Sequence, residues 1–142
     1  MNTLNQLLKS KSREVWSIGP DASVYDAIHL MAEKGIGALV VLKDESLVGI
    51  ISERDYARQV VLKDRSSKET LVKDIMSGKV IYADPDQTVD ECLAVMTEKR
   101  IRHLPVMDGG QMVGLISMGD LVKTIIAEQK VTIDQLERYI TG

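Results

Sequence analysis

Two stretches of the chain place a serine three residues before an aspartate, directly after a short apolar run. They read Gly49-Ile50-Ile51-Ser52-Glu53-Arg54-Asp55 and Gly114-Leu115-Ile116-Ser117-Met118-Gly119-Asp120. A hydroxyl at the start of a helix can donate to phosphate oxygens, and the unpaired N–H groups and dipole of that helix end favour an anion. A carboxylate one turn later can accept from vicinal ribose hydroxyls. A glycine just upstream lets the backbone pass close to a ligand. Together these groups would make a nucleotide clamp. The same Ser-x-x-Asp spacing also describes a capping box whose atoms only satisfy the helix end. Both readings stand at this point.

Other chemistry-bearing residues are few. His103 follows Arg102 at the start of an apolar run, where a lone histidine is either a hydrogen-bonded edge residue or a ligand group. His29 falls off the apolar face of its segment and reads as solvated. Cys92 is the only cysteine, so a disulfide framework or a multi-Cys metal site is excluded, and its place on an apolar stripe reads as a small buried thiol. Two histidines are too few for a His-rich catalytic metal site. There is no Gly-x-Gly-x-x-Gly, Walker loop, nucleophile elbow or His-Glu-x-x-His, and we expect no enzyme and no catalytic cofactor.

Composition narrows the class further. The chain has 142 residues, of which 44% are hydrophobic and 4% aromatic, with no Phe. The core must come from Ile, Val, Leu, Ala and Met, and base-stacking platforms are unavailable. A net charge of −3 argues against a nucleic-acid surface. No signal peptide or apolar run long enough for a membrane helix is apparent, so we expect a cytoplasmic protein.

The elements that position these residues come in two copies. Shifted by 65 residues, the chain aligns with itself without a gap from Val15/Val80 to Tyr56/Leu121, with 15 identities in 42 pairs. Chance composition would give roughly two or three, so the repeat is real. Each copy reads β-α-β-β-α. A short extended run ends at Pro20 or Pro85. A capping box, Ser23-x-x-Asp26 or Thr88-x-x-Glu91, starts a helix with apolar residues at i, i+3, i+4 and i+7. Two short β-branched runs form a hairpin, and the second helix opens at Ser52 or Ser117. We expect a first domain over residues 1–62 with the N-terminal segment, a polar linker over 63–73, a second domain over 74–130 and a short helical tail over 131–142.

With Asp74-Ile75-Met76 ahead of the second copy and Arg100-Ile101-Arg102-His103-Leu104-Pro105-Val106 inside it, the chain resembles a tandem pair of CBS domains, or Bateman module, over about residues 1–130. The resemblance implies an α/β (α+β) fold of two repeats packed with pseudo-twofold symmetry, and a homodimer. It implies two clefts shared between the copies. Ser52, Arg54 and Asp55 would share one with Ile81, Ala83, Arg102, His103 and Pro105. Ser117 and Asp120 would share the other with Trp16, Ile18, Gly37 and Ala38. Trp16 is as well suited to a core as to an adenine wall. The implied ligand is an adenine nucleotide, AMP first, with ATP, ADP, NAD or NADH also possible and S-adenosylmethionine less suited to the arginines. The implied role is a sensor of energy or redox state that signals to an effector protein. The alternative is a ligand-independent oligomerisation or interaction module.

Overall fold

Strands β2 (Ala38–Lys43) and β3 (Ser46–Ser52) pair antiparallel from Ala38↔Ser52 to Lys43↔Ser46, and β1 (Ser17–Ile18) adds in parallel at Ser17↔Val40 and Ile18↔Val41. In this computed structural model, which describes residues 2–10 and 15–141, the second copy repeats the hairpin. There β4 (His103–Asp108) and β5 (Gln111–Ser117) pair from His103↔Ser117 to Asp108↔Gln111. Both hairpins break register at the same place, Val41/Leu42 and Val106/Met107. The expected first strand of the second copy shrinks to one parallel bridge, Ala83↔Val106. The result is the mixed α+β repeat that the alternation of apolar and polar runs predicts.

Helices α2 (Val24–Lys34) and α5 (Val89–Lys99) form where the capping boxes place them. Ser23 accepts from the Asp26 amide, whereas Thr88 and Glu91 close a full reciprocal box. Both helices end in a left-handed residue, Gly35 at φ 65° and Arg100 at φ 56°. The buried stripes are Val24, Ala27 and Met31 in one copy and Val89, Cys92 and Met96 in the other. Met31 and Met96 are therefore core residues. The helices after the hairpins diverge. The first copy has one α turn, α3 (Glu53–Tyr56), followed by a π segment (Ala57–Val61) that buries Val60. The second runs unbroken as α6 (Met118–Thr141), so the expected separate tail is its continuation. No proline or glycine interrupts the chain between Asp120 and Thr141 to stop it.

The chain sorts into two compact units, each holding one hairpin. One is Glu14–Ile81, and the other joins Met1–Arg13 to Tyr82–Gly142. The N-terminal helix α1 (Leu4–Ser10) therefore belongs with the second copy, and α4 (Val72–Ile75), which directly precedes the second copy, belongs with the first. The two attachments are alike bond for bond. The amides of Leu4 and Asn5 donate to the Gln87 and Pro85 carbonyls, and Val89 donates to Asn2. The amides of Val72 and Lys73 donate to the Ala22 and Pro20 carbonyls, and Val24 donates to Thr70. Tyr25 also donates to Ser67, so the residues expected to be a polar linker take up the first amides of α2, which a helix cannot pair internally. Leu4, Leu7, Leu8, Val72 and Ile75 are all buried by these attachments.

This packing explains the glycine of each hairpin. A Cβ on Gly49 would meet the Met76 side chain and lie 2.9 Å from the Ser77 carbonyl oxygen, while one on Gly114 would meet only the end of the Leu8 side chain. The close approach expected to serve a ligand is made to the protein's own short helices. Gly49→Ala should cost about 2–3 kcal/mol, because a backbone oxygen must move, and Gly114→Ala about 1 kcal/mol, because Leu8 can turn aside. Urea denaturation of the two variants checks the order.

Cys92 is fully buried, and burial, helped by the Glu91 charge, pushes its thiol up from 9.0 to about 11. The folded state thus disfavours the thiolate. Its contribution is fully present below the unfolded thiol pKa and is lost as pH rises toward 11. We expect the stability of the parent relative to Cys92→Ala to fall by about 2 kcal/mol between pH 9 and 11, as read by denaturant melts.

Candidate functional site

Each Ser-x-x-Asp sits where its hairpin ends and a helix begins. In the first copy the Ser52 amide donates to Asp55 Oδ2 at 2.9 Å, the Ser52 hydroxyl donates to the same oxygen at 3.1 Å, and the Asp55 amide donates to Ser52 Oγ at 3.2 Å. In the second, the Ser117 amide donates to Asp120 Oδ2 at 2.9 Å and the Asp120 amide donates to Ser117 Oγ at 3.1 Å. Both are capping boxes, so the structural reading of the motif holds for these atoms. It does not remove them from a surface, since all four residues are part-exposed.

The helix-end amides are less available than the spacing suggested. The Glu53 amide donates to the Gly37 carbonyl at 3.0 Å, and the Met118 amide donates to Arg102 at 2.8 Å. With Asp55 and Asp120 capped as well, two amides of each helix start already have partners. Helix α3 is also only four residues long, which limits its dipole. Any attraction for a phosphate here must come mainly from side chains such as those of Arg54 and Arg102, both exposed.

Within each unit the strands bring part of the predicted set together. In the first-copy unit Ala38 pairs directly with Ser52, Gly37 bonds to Glu53, and Ile18 lies beside Val41 on the neighbouring strand. Trp16 packs partly buried against the core of this unit, with the Lys34 ammonium 4.2 Å from its ring centroid. Ile81 is part-buried at the end of the same unit. In the second-copy unit His103 pairs with Ser117, Arg102 bonds to Met118, and the Ala83 amide donates to the Pro105 carbonyl at 2.8 Å. Pro105 and Ala83 are buried. Gly37 and Ala38 therefore occupy in one copy the positions that Arg102 and His103 occupy in the other.

A depression of about 310 Å³ in the first-copy unit is lined by Ile28, Met31, Ala32, Gly35, Ile36, Gly37 and Glu53, and touches the predicted set only at Gly37. Among the described residues no cluster of His, Cys, Asp and Glu could hold a metal ion, and no helix is long and apolar enough to cross a membrane. His29 is exposed beside Glu33, as its off-stripe position predicts. The repeat at 65 residues did not reveal Leu8 and Met76, which shape the hairpin glycines. The signal was a second offset, 68 residues, that matches Leu4, Leu7 and Leu8 to Val72, Ile75 and Met76.

The geometry of two β-α-β-β-α copies, each closing on Gly-x-x-Ser-x-x-Asp, is that of a CBS pair. The CBS domain family profile matches residues 10–62 and 72–127, and the chain belongs to that family. A protein with CBS domains from Burkholderia ambifaria is similar in structure at a TM-score of 0.88 and 56% identity, covering 90% of this chain and 96% of that one. The mitochondrial CBS domain-containing protein CBSX3 of Arabidopsis thaliana is 39% identical over 150 residues, 99% of this chain and 72% of the relative. The CBS domain pair of protein MJ0100, solved with 5′-methylthioadenosine and S-adenosyl-L-methionine, shares the fold at a TM-score of 0.79 and 22% identity, covering 89% of this chain and 98% of that one.

The capping geometry predicts a cost in the absence of any ligand. Ser52→Ala and Ser117→Ala should each destabilise by about 1 kcal/mol, and Asp55→Asn by less, since the amide oxygen still accepts. Urea melts of ligand-free protein measure this.

Proposed function

We propose that the chain is a regulatory module that binds an adenine nucleotide and signals energy or redox state to an effector protein. The observation that carries this reading is the duplicated Ser-x-x-Asp at the end of each hairpin, set in a CBS pair. The adenosine-containing ligands of MJ0100 support the ligand class. A suggested signal-transduction role for the Burkholderia ambifaria protein supports the regulatory one.

In this proposal Asp55 and Asp120 accept from ribose hydroxyls, and Ser52 and Ser117 face phosphate oxygens. The apolar walls are aliphatic, because Trp16 is the only tryptophan and its ring already carries Lys34. The two ligand sets differ in charge. Ser52, Arg54 and Asp55 act with Ile81, Ala83, Arg102, His103 and Pro105. Ser117 and Asp120 act with Trp16, Ile18, Gly37 and Ala38, where glycine and alanine stand in place of arginine and histidine. The first set suits the terminal phosphate of AMP, because guanidinium groups pair with phosphate oxygens. The second suits a ligand of lower terminal charge. ATP, NAD and NADH carry the same adenosine half and are the next candidates.

A thermal-shift panel with AMP, ADP, ATP, NAD, NADH and S-adenosylmethionine tests the ligand class. A true ligand at 100 times its dissociation constant adds about 2.7 kcal/mol of stability. Titration calorimetry with Asp55→Ala and Asp120→Ala, below the melting temperature of each, tests the ranking. AMP binding should be lost in the first variant and kept in the second. Loss in the second alone overturns the ranking, and no shift with any nucleotide leaves a ligand-independent interaction module.

A further inference from the structure

Helix α6 carries an apolar stripe that its own unit does not cover. From Gln129 to Thr141 every side chain is exposed. Val122 is 41% exposed, Ile126 58%, Ile133 54%, Leu136 57% and Ile140 81%. These residues and Gln129 fall at alternating intervals of four and three, which keeps them in one line along a helix and makes a coiled-coil seam. Ile126, Ile133 and Ile140 take one core position of the heptad, and Val122, Gln129 and Leu136 take the other. The seam extends ~27 Å at 1.5 Å per residue.

We propose that residues 122–140 of α6 form an antiparallel two-stranded coiled coil with the same helix of a second copy. The seam is complementary to itself when reversed about Val131. Val122 then meets Ile140 of the second copy, Ile126 meets Leu136, and Gln129 meets Ile133, with no apolar residue left over. The flanking charges select this direction. Reversal sets Lys123 beside Glu137 twice and Lys130 beside Lys130 once. A parallel pair would set lysine or glutamate only against Ile125 or Thr132, and would stack Gln129 on Gln129. The antiparallel arrangement therefore gains two opposite-charge pairs, against one lysine pair, where the parallel one gains none. Val131 and Arg138 lie on the outer side of the seam. The inference does not depend on which ligand the chain binds.

Analytical ultracentrifugation of the full chain tests the occupant. The parent should sediment as a dimer. Ile133→Asp with Leu136→Asp changes only exposed positions, so far-UV circular dichroism and the melt of the folded body should persist while dimerisation weakens roughly 100-fold. Gln129→Leu should tighten it, since it replaces the one polar seam residue. Spin labels in a Cys92→Ala background, at Lys130→Cys or Thr141→Cys, test the direction. Labels at 130 should lie close together across the seam, and labels at 141 should be separated by about 30 Å along the axis. A monomeric parent, or a double-aspartate variant of unchanged mass, overturns the proposal. Short distances at both labelled positions overturn the antiparallel register.

Discussion

The structure depends on two short helical segments, each seated against a hairpin glycine that is not its neighbour in the chain. Leu8 occupies the space over Gly114, and Met76 the space over Gly49. Each segment also ties its backbone to the chain just before a main helix, through Leu4 and Asn5 in one case and Val72 and Lys73 in the other. A repeat of about 50 residues buries too little surface to be comfortable alone. The added helix supplies buried leucine, valine and isoleucine, and its flanking carbonyls pair amides that the main helix cannot. Removing the Cβ at one hairpin position is what makes room for it.

This constraint changes the meaning of the motif that first suggested a ligand. Its glycine is required by internal packing, and its serine and aspartate close a capping box. What is left for recognition is the exposed remainder of those groups and the arginines beside them. The polar atoms that a ligand would meet are already held in place by short hydrogen bonds, so a ligand would find them preorganised. The asymmetry between the copies, Gly37-Ala38 against Arg102-His103, is where two sites built on one motif can differ.

Divergence between the copies is concentrated after the motif. One copy turns from α3 into a π segment and ends, and the other continues as 24 helical residues. Nothing in the repeat required that difference. It follows from what comes next in the sequence: a polar stretch that folds back onto α2 in the first copy, and an uninterrupted run of helix formers with a 4–3 seam in the second.

Much of the molecule was legible without coordinates. The 65-residue repeat, the capping boxes, the period of 3.6 in α2 and α5 and the paired β-branched runs determine the α+β repeat, because each is a local pattern whose stereochemistry admits one answer. Buried Cys92 and exposed His29 also follow from their positions on or off a stripe. Which copy the N-terminal segment and the linker serve was not legible: the first was expected with the first copy, and residues 63–73 only as a polar connection. Seven residues contain no local feature that names a distant partner. Only the tertiary structure decided it, because the match lies in a missing side chain at Gly49 and Gly114 and in carbonyls more than forty residues away. The same holds for the Ser-x-x-Asp pairs. Their spacing permits a cap or a clamp, and only folding showed which of their atoms are already bonded.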